Sequence, residues 1–160
     1  MVAISENIEE LAEIKIHSRR QMMENTLLDD FEQFFVEFQR VWNSCHTEEM
    51  VERLSPDIAV RWAMADGTVS DWGYKEACLG WAEAFDEYCG HDPKWTFYPL
   101  KTALASENEV IAIFWVTFEM DGIPKDVVKL FIQRFRKEES GWKLLREYCE
   151  SLNPSLVSIK

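Results

Sequence analysis

The polar residues that could do acid–base chemistry lie in the last third of the chain. Lys129, Gln133 and Arg134 interrupt one apolar run. On the next run, Arg146 and Glu147 fall on opposite faces of an expected strand. A carboxylate such as Glu147, if it faced an apolar interior, would be desolvated, and its pKa would rise toward the range useful to a general acid or base. Glu147 is therefore a weak catalytic candidate.

Charge pairing is the competing interpretation of these residues. Basic and acidic side chains sit on neighbouring runs, where pairs form readily across strands on an exposed or dimer face. The sequence favours this interpretation over catalysis. It also offers no His-carboxylate cluster, glycine-rich phosphate loop or catalytic triad spacing, so we expect no metal and no cofactor.

Tryptophan is the second chemical signal, with seven in 160 residues. Trp62, Trp81, Trp95 and Trp115 fall on segments expected to surround a central cavity. Aromatic walls suit a flat apolar ligand, because stacking and burial of area favour such a guest. Together with Phe38 they are the predicted ligand-binding residues. The alternative, which the sequence favours, is that these rings simply fill the interior.

The elements that must position these residues are strands in the second half of the chain. Runs 110–118 and 127–135 are rich in β-branched and aromatic residues, and the segment between them opens on Asp121-Gly122. This pattern predicts adjacent antiparallel strands. A third run, 141–148, completes a meander, and 94–105 is predicted to pair on the other side. Pro99 within it indicates an edge position or a bulge.

The first half of the chain is predicted to be mostly helical. Helices are expected over 5–24, 30–45, 47–54 and from about Tyr74 to Gly90. The second is the clearest, with an aromatic stripe and Asp30 as its N-cap. A strand over 57–64 is predicted to turn Ile58, Val60, Trp62 and Met64 inward. The class is α+β, with helices on one side of a mostly antiparallel sheet.

Several segments give the chain a resemblance to the nuclear transport factor 2-like superfamily, which includes ketosteroid isomerases, polyketide cyclases and scytalone dehydratase. They are VWNSCH at 41–46, MVERLSPDIAV at 50–60, GYKEA at 73–77 and SGWKL at 140–144. The resemblance implies a curved sheet wrapped around a long helix, a cystatin-like cone whose mouth holds a hydrophobic pocket. It implies a domain over 28–160, preceded by a helical extension over 1–27. Many members are homodimers that pair through the open sheet face.

The catalytic residues of these enzymes do not carry over. Where the isomerases have a carboxylate on the first strand this chain has Trp62, which cannot abstract a proton. Where they have a tyrosine on the long helix it has Phe38. The dehydratases use histidines on strands, whereas His17, His46 and His91 are predicted in helices or loops.

The amino-acid composition limits the kinds of partner that the protein is expected to bind. The net charge is -12, so nucleic acid and anionic membrane surfaces are not expected. The four cysteines show no zinc-ligand or disulfide spacing, and the first 25 residues are too acidic for a signal peptide, which predicts a cytoplasmic protein. Run 110–118 is apolar on both faces, so a homodimer is expected.

Two functions follow from this sequence. The first is a pocket protein for a small apolar or aromatic molecule, with cofactor-independent isomerase, cyclase or dehydratase chemistry as one form of it. The second is a non-catalytic, dimeric ligand-binding or interaction domain whose cone is filled. A pocket-facing acid or base would separate them.

Overall fold

The structure, a computed structural model, describes the backbone of residues 2–156 and the side chains of residues 11–155. The helices are α1 (Val2–Ser44), α2 (Thr47–Glu52) and α3 (Tyr74–Tyr88). The strands are β1 (Leu54–Ala63), β2 (Val69–Trp72), β3 (Lys94–Ser106), β4 (Glu109–Met120), β5 (Ile123–Glu138) and β6 (Gly141–Leu152). The predicted class, α+β with a curved sheet against a long helix, is confirmed.

The six strands form one sheet in the order β2-β1-β6-β5-β4-β3. Strands β3 to β6 make the antiparallel meander that the turn residues predicted. Strand β1 pairs with β6 in parallel, so the sheet is mixed. The last strand of the chain therefore lies inside the sheet, and its side chains have neighbours on both β1 and β5.

Helix α1 is a single helix of 43 residues, roughly 65 Å long. The prediction of two helices, the second capped by Asp30, is wrong, because residues 24–30 contain neither glycine nor proline and remain helical. Asp30 instead accepts a hydrogen bond from Trp142 Nε1 at 2.9 Å and pairs with Lys137. These two contacts hold the pKa of Asp30 below its usual value. The boundary expected at residues 27 and 28 falls inside this helix.

The second half of α1 supplies the core. Its aromatic stripe packs on rings from the concave sheet face, with Phe38 5.3 Å from Phe135 and Trp42 5.3 Å from Phe131, measured between ring centroids. Phe38 is fully buried. Much of the space inside the curved sheet is thus occupied by rings of the protein itself. By contrast, residues 11–23 in the first half of α1 are exposed.

Three local predictions need comment. Strand β1 begins at Leu54, three residues earlier than predicted, and Met64 beyond its end is 43% exposed, so the inward prediction for Met64 is wrong. Strand β2 was not predicted, because it has four residues and pairs with β1 alone. The prediction for Pro99 is confirmed, since β3 is an edge strand whose register shifts between Pro99 and Lys101.

Candidate functional site

A bulge in β6 decides which of its polar residues faces the core. Leu144 is buried on the concave face, and strict alternation would turn Arg146 inward after it. Leu145 is buried as well and has no opposite residue on β5, where the register slips by one. The extra residue reverses the alternation. Arg146 is therefore exposed and Glu147 is buried on the concave side.

The Glu147 carboxylate is held by donors from two other strands. Val60 and Gln133 are its register partners on β1 and β5. Glu147 Oε1 accepts a hydrogen bond of 2.8 Å from Trp62 Nε1, and Oε2 accepts one of 2.6 Å from Gln133 Nε2. Only 5% of Glu147 is exposed. Both oxygens are thereby fixed in place by side chains that do not ionise.

Burial raises the pKa of the Glu147 carboxyl above its ordinary value, and desolvation is the largest cause. The hydrogen bonds from Trp62 and Gln133, and the positive charge of Lys129, oppose this effect without cancelling it. A carboxyl in this state exchanges a proton at a higher pH than an exposed glutamate, which is the property required of a general acid or base.

Lys129 brings a positive charge to the same place. Its Nζ lies 4.7 Å from the centroid of the Trp62 ring and donates a hydrogen bond of 2.9 Å to Ser151 Oγ. Trp62 thus contacts an ammonium group with its ring face and a carboxylate with its Nε1. Two titratable groups of opposite charge flank one indole on the concave face of the sheet.

A small cavity of about 70 Å³ opens next to this group. Its lining residues come from β1, β2, α3 and β6: Val60, Trp62, Trp72, Ala77, Gly80, Trp81 and Glu147. The centroids of the Trp62 and Trp72 rings are 5.2 Å apart. All three indoles are half-buried, so the cavity reaches solvent. Pockets for drug-sized ligands measure roughly 300–1,000 Å³, so this one suits a small group.

A larger and shallower cleft of about 510 Å³ lies between the end of α1 and α3. Two thiols, Cys45 and Cys89, are among the residues that line it. Burial raises the pKa of Cys45 to about 11, so this thiol is protonated and a poor nucleophile at neutral pH. The smaller cavity beside Glu147 is the better candidate site despite its size.

The structure brings together three of the predicted site residues and separates the others. Glu147, Trp62 and Trp81 meet at the small cavity. Phe38 is enclosed in the aromatic core and does not line it. Trp95 stacks on Phe118 at 4.8 Å and is not among the lining residues, and its backbone N–H donates to Asn43 Oδ1.

The placement of Trp115 has to be corrected. Along β4 the buried residues Val110, Ala112, Phe114 and Val116 face the concave side. Trp115 alternates with them and lies opposite Leu130 on the outer face of the sheet. It cannot line the cone.

Trp72 is the site residue that sequence reasoning missed. It is the last residue of β2, opposite Val60 in the hairpin with β1. The signal was present, because Asp66-Gly67 predicts a turn and Val69 to Trp72 alternates after it. Four residues were too few to separate from the start of the next helix.

Within residues 11–155, no three His, Cys, Asp or Glu side chains are grouped so that they could hold a metal ion. In the same described part of the chain, no helix is both long and apolar enough to cross a membrane. The four cysteines, one of them Cys149 in the core, are free thiols.

No family model matches the chain, and no curated protein matches it in sequence. Solved structures do match. A candidate scytalone dehydratase from Novosphingobium aromaticivorans has a TM-score of 0.65 at 13% identity, over 82% of this chain and 88% of that one. A ketosteroid isomerase-like protein from Erwinia carotovora has a TM-score of 0.57 at 13% identity, over 79% and 97%.

An uncharacterised protein with a cystatin-like fold from Caulobacter vibrioides has a TM-score of 0.62 at 15% identity, over 80% of this chain and 91% of that one. The cystatin-like fold that the resemblance implies is therefore confirmed. At these identities the similarity shows the fold alone, and function has to be argued from the site.

Proposed function

We propose that the protein binds a small, largely apolar molecule in the cavity between Trp62, Trp72 and Trp81, with Glu147 as the group that exchanges a proton with it. The observation that carries the proposal is the buried Glu147 carboxyl, held by two donors at the wall of an otherwise apolar cavity. Buried carboxyls with raised pKa values cluster at functional sites, because burying them is costly.

The reaction class that fits is proton transfer without a cofactor, as in an isomerisation, cyclisation or dehydration. Glu147 would take a proton from carbon, or give one to a leaving oxygen. The positive charge of Lys129, beside Trp62, would favour the ionised form of Glu147 that accepts the proton. Names of two structural neighbours, a candidate scytalone dehydratase and a ketosteroid isomerase-like protein, agree with this class.

A second function, a non-catalytic dimeric module, is favoured by a different observation. The concave face is filled by aromatic rings, and about 70 Å³ remains. On the outer face, Ile113, Ile132 and Tyr148 form a row across three strands, and Ile132 is 37% exposed. We propose that a second copy of the chain covers this face, whichever function holds. A reducing, cytoplasmic setting belongs to the same proposal and is supported by the free thiols.

Tryptophan fluorescence tests the proposed pocket. Small phenols, larger aromatic polyketides and steroids are titrated into the wild type and into Trp62→Ala. Saturable quenching that weakens in Trp62→Ala is expected, and small ligands should bind best. Trp115→Ala is the matched control, because it removes an indole from the outer face. Quenching that both variants weaken equally, or that no ligand saturates, would contradict the proposal.

Catalysis is tested separately with Glu147→Gln, which keeps the size of the side chain and removes its ability to exchange a proton. Any turnover found with a ligand from the panel should be lost in this variant, while binding persists. Glu150→Gln, on the outer face of the same strand, is the control. Saturable binding without turnover in the wild type would support the non-catalytic module.

A further inference from the structure

The side chains that line the small cavity are acidic, aromatic or small and apolar. Three of the lining side chains are indoles, one is a carboxyl, and the other three are Val60, Ala77 and Gly80. The lining therefore contains an acid and no basic residue. The face of an indole carries negative electrostatic potential and attracts cations, tryptophan most strongly among the aromatic residues. The carboxyl group and the faces of the indoles both favour positive charge.

The Lys129 ammonium group already lies over one of these indoles, that of Trp62. Lys129 Nζ lies 4.7 Å from the Trp62 ring centroid, inside the distance of about 6 Å at which cation–π attraction is significant. Lys129 is not among the residues that line the cavity. The indoles of Trp72 and Trp81 therefore remain available to a cation from outside.

Glu147 keeps the capacity to receive such a cation. Each of its oxygens accepts one hydrogen bond, from Trp62 and from Gln133. An ionised carboxylate has about four acceptor positions, so two are left. The protein as a whole carries a net charge of -12, which raises the local concentration of cations.

The size of the cavity further limits which ligands can bind. A volume of about 70 Å³ holds a group of a few heavy atoms, such as an alkylated ammonium head. The half-buried indoles leave the cavity open to solvent, so the rest of a ligand can extend outward. We infer that this cavity is an aromatic cage for a small organic ammonium ion, bound by the indoles of Trp72 and Trp81 and by the Glu147 carboxylate. This inference rests on the proposed pocket and specifies the charge of its ligand.

Choline and its neutral isostere 3,3-dimethylbutan-1-ol are the probes, titrated into the wild-type protein by calorimetry and tryptophan fluorescence. They have nearly the same shape and differ in charge. We expect choline to bind at least about tenfold more tightly. Glu147→Gln should weaken choline binding by about tenfold and leave the isostere unchanged. Glu150→Gln should change neither affinity.

Lys129→Met gives a second, opposite readout that does not depend on the stability of Glu147→Gln. Removing the competing positive charge beside Trp62 should strengthen choline binding and leave the isostere unaffected. Equal binding of choline and its isostere would overturn the ammonium cage and leave the proposed pocket standing. Binding of phenols without choline would do the same. If no probe binds, phenols included, both the ammonium cage and the proposed pocket are wrong.

Discussion

The indole Nε1 of Trp62 donates a hydrogen bond of 2.8 Å to Glu147 Oε1, although the two residues lie 85 positions apart. Strand β1 has no acid at residue 62, where its resemblance to the isomerases would require one. Strand β6 brings a carboxylate to that indole through its parallel pairing with β1. A carboxylate of the last strand therefore lies beside the first strand at Trp62.

Trp62→Phe should destabilise the fold, because the smaller phenyl ring has no donor for Glu147. A buried carboxylate oxygen left without its partner costs about 1–3 kcal/mol. Denaturant unfolding at neutral pH measures the free energy of unfolding. Trp115→Phe, on the outer face, should have a smaller effect. An unchanged stability in Trp62→Phe would show that the hydrogen bond contributes nothing.

Glu147→Gln should change how stability depends on pH. Because burial raises the pKa of this carboxyl in the folded protein, the native state holds the proton more tightly than the unfolded state. The free energy of unfolding of the wild type therefore falls, relative to that of the variant, as pH rises. The fall begins near the ordinary glutamate pKa of 4.5 and ends above the raised pKa of folded Glu147. Unfolding free energies of both proteins, measured between about pH 4 and pH 8, give the difference. If the difference in unfolding free energy stays constant, or if the wild type gains stability relative to the variant as pH rises, the direction of this pKa shift is wrong.

Phe38→Asp should abolish folding. Phe38 is fully buried among rings of α1 and β5, and a charge there would have no partner. Circular dichroism and thermal melting report the outcome. Val36→Asp, at a residue of the same helix that is 69% exposed, is the control and should melt like the wild type. A soluble Phe38→Asp variant that melts cooperatively would refute the core described here.

The outer sheet face gives the prediction of a homodimer. Ile132 lies between Ile113 and Tyr148 on neighbouring strands, and a second copy would bury this row. Light scattering should return about twice the chain mass of 18.8 kDa for the wild type and the chain mass itself for Ile132→Asp. Ile132 is exposed enough for the monomer to tolerate the charge. A wild-type mass near that of one chain across micromolar concentrations would rule the dimer out.

Local signals in the sequence were sufficient for the meander and for the buried face of the second half of α1, although they wrongly divided α1 into two helices. The aromatic stripe that includes Phe31 and Phe38 repeats with the helical period, and it determines which face of α1 is buried. Asp121 and Gly122 both adopt positive φ, at 51° and 74°, as expected of the turn they predict between β4 and β5. These features depend on residues close together in the chain, so a pattern can reveal them. The face of the sheet that Trp115 occupies was misjudged, because β4 is apolar on both sides and its alternation is hidden.

Only the tertiary structure decided the site. The sequence placed Arg146 and Glu147 on opposite faces of a strand, but the bulge at Leu145 determines which of them is buried. A bulge depends on how β6 pairs with β5, and no local pattern announced it. The meeting of Glu147 with Trp62 likewise requires β1 to lie parallel to the last strand, a contact between distant parts of the chain. Side chains so far apart in sequence meet because the backbones of β1 and β6 pair directly in the folded sheet.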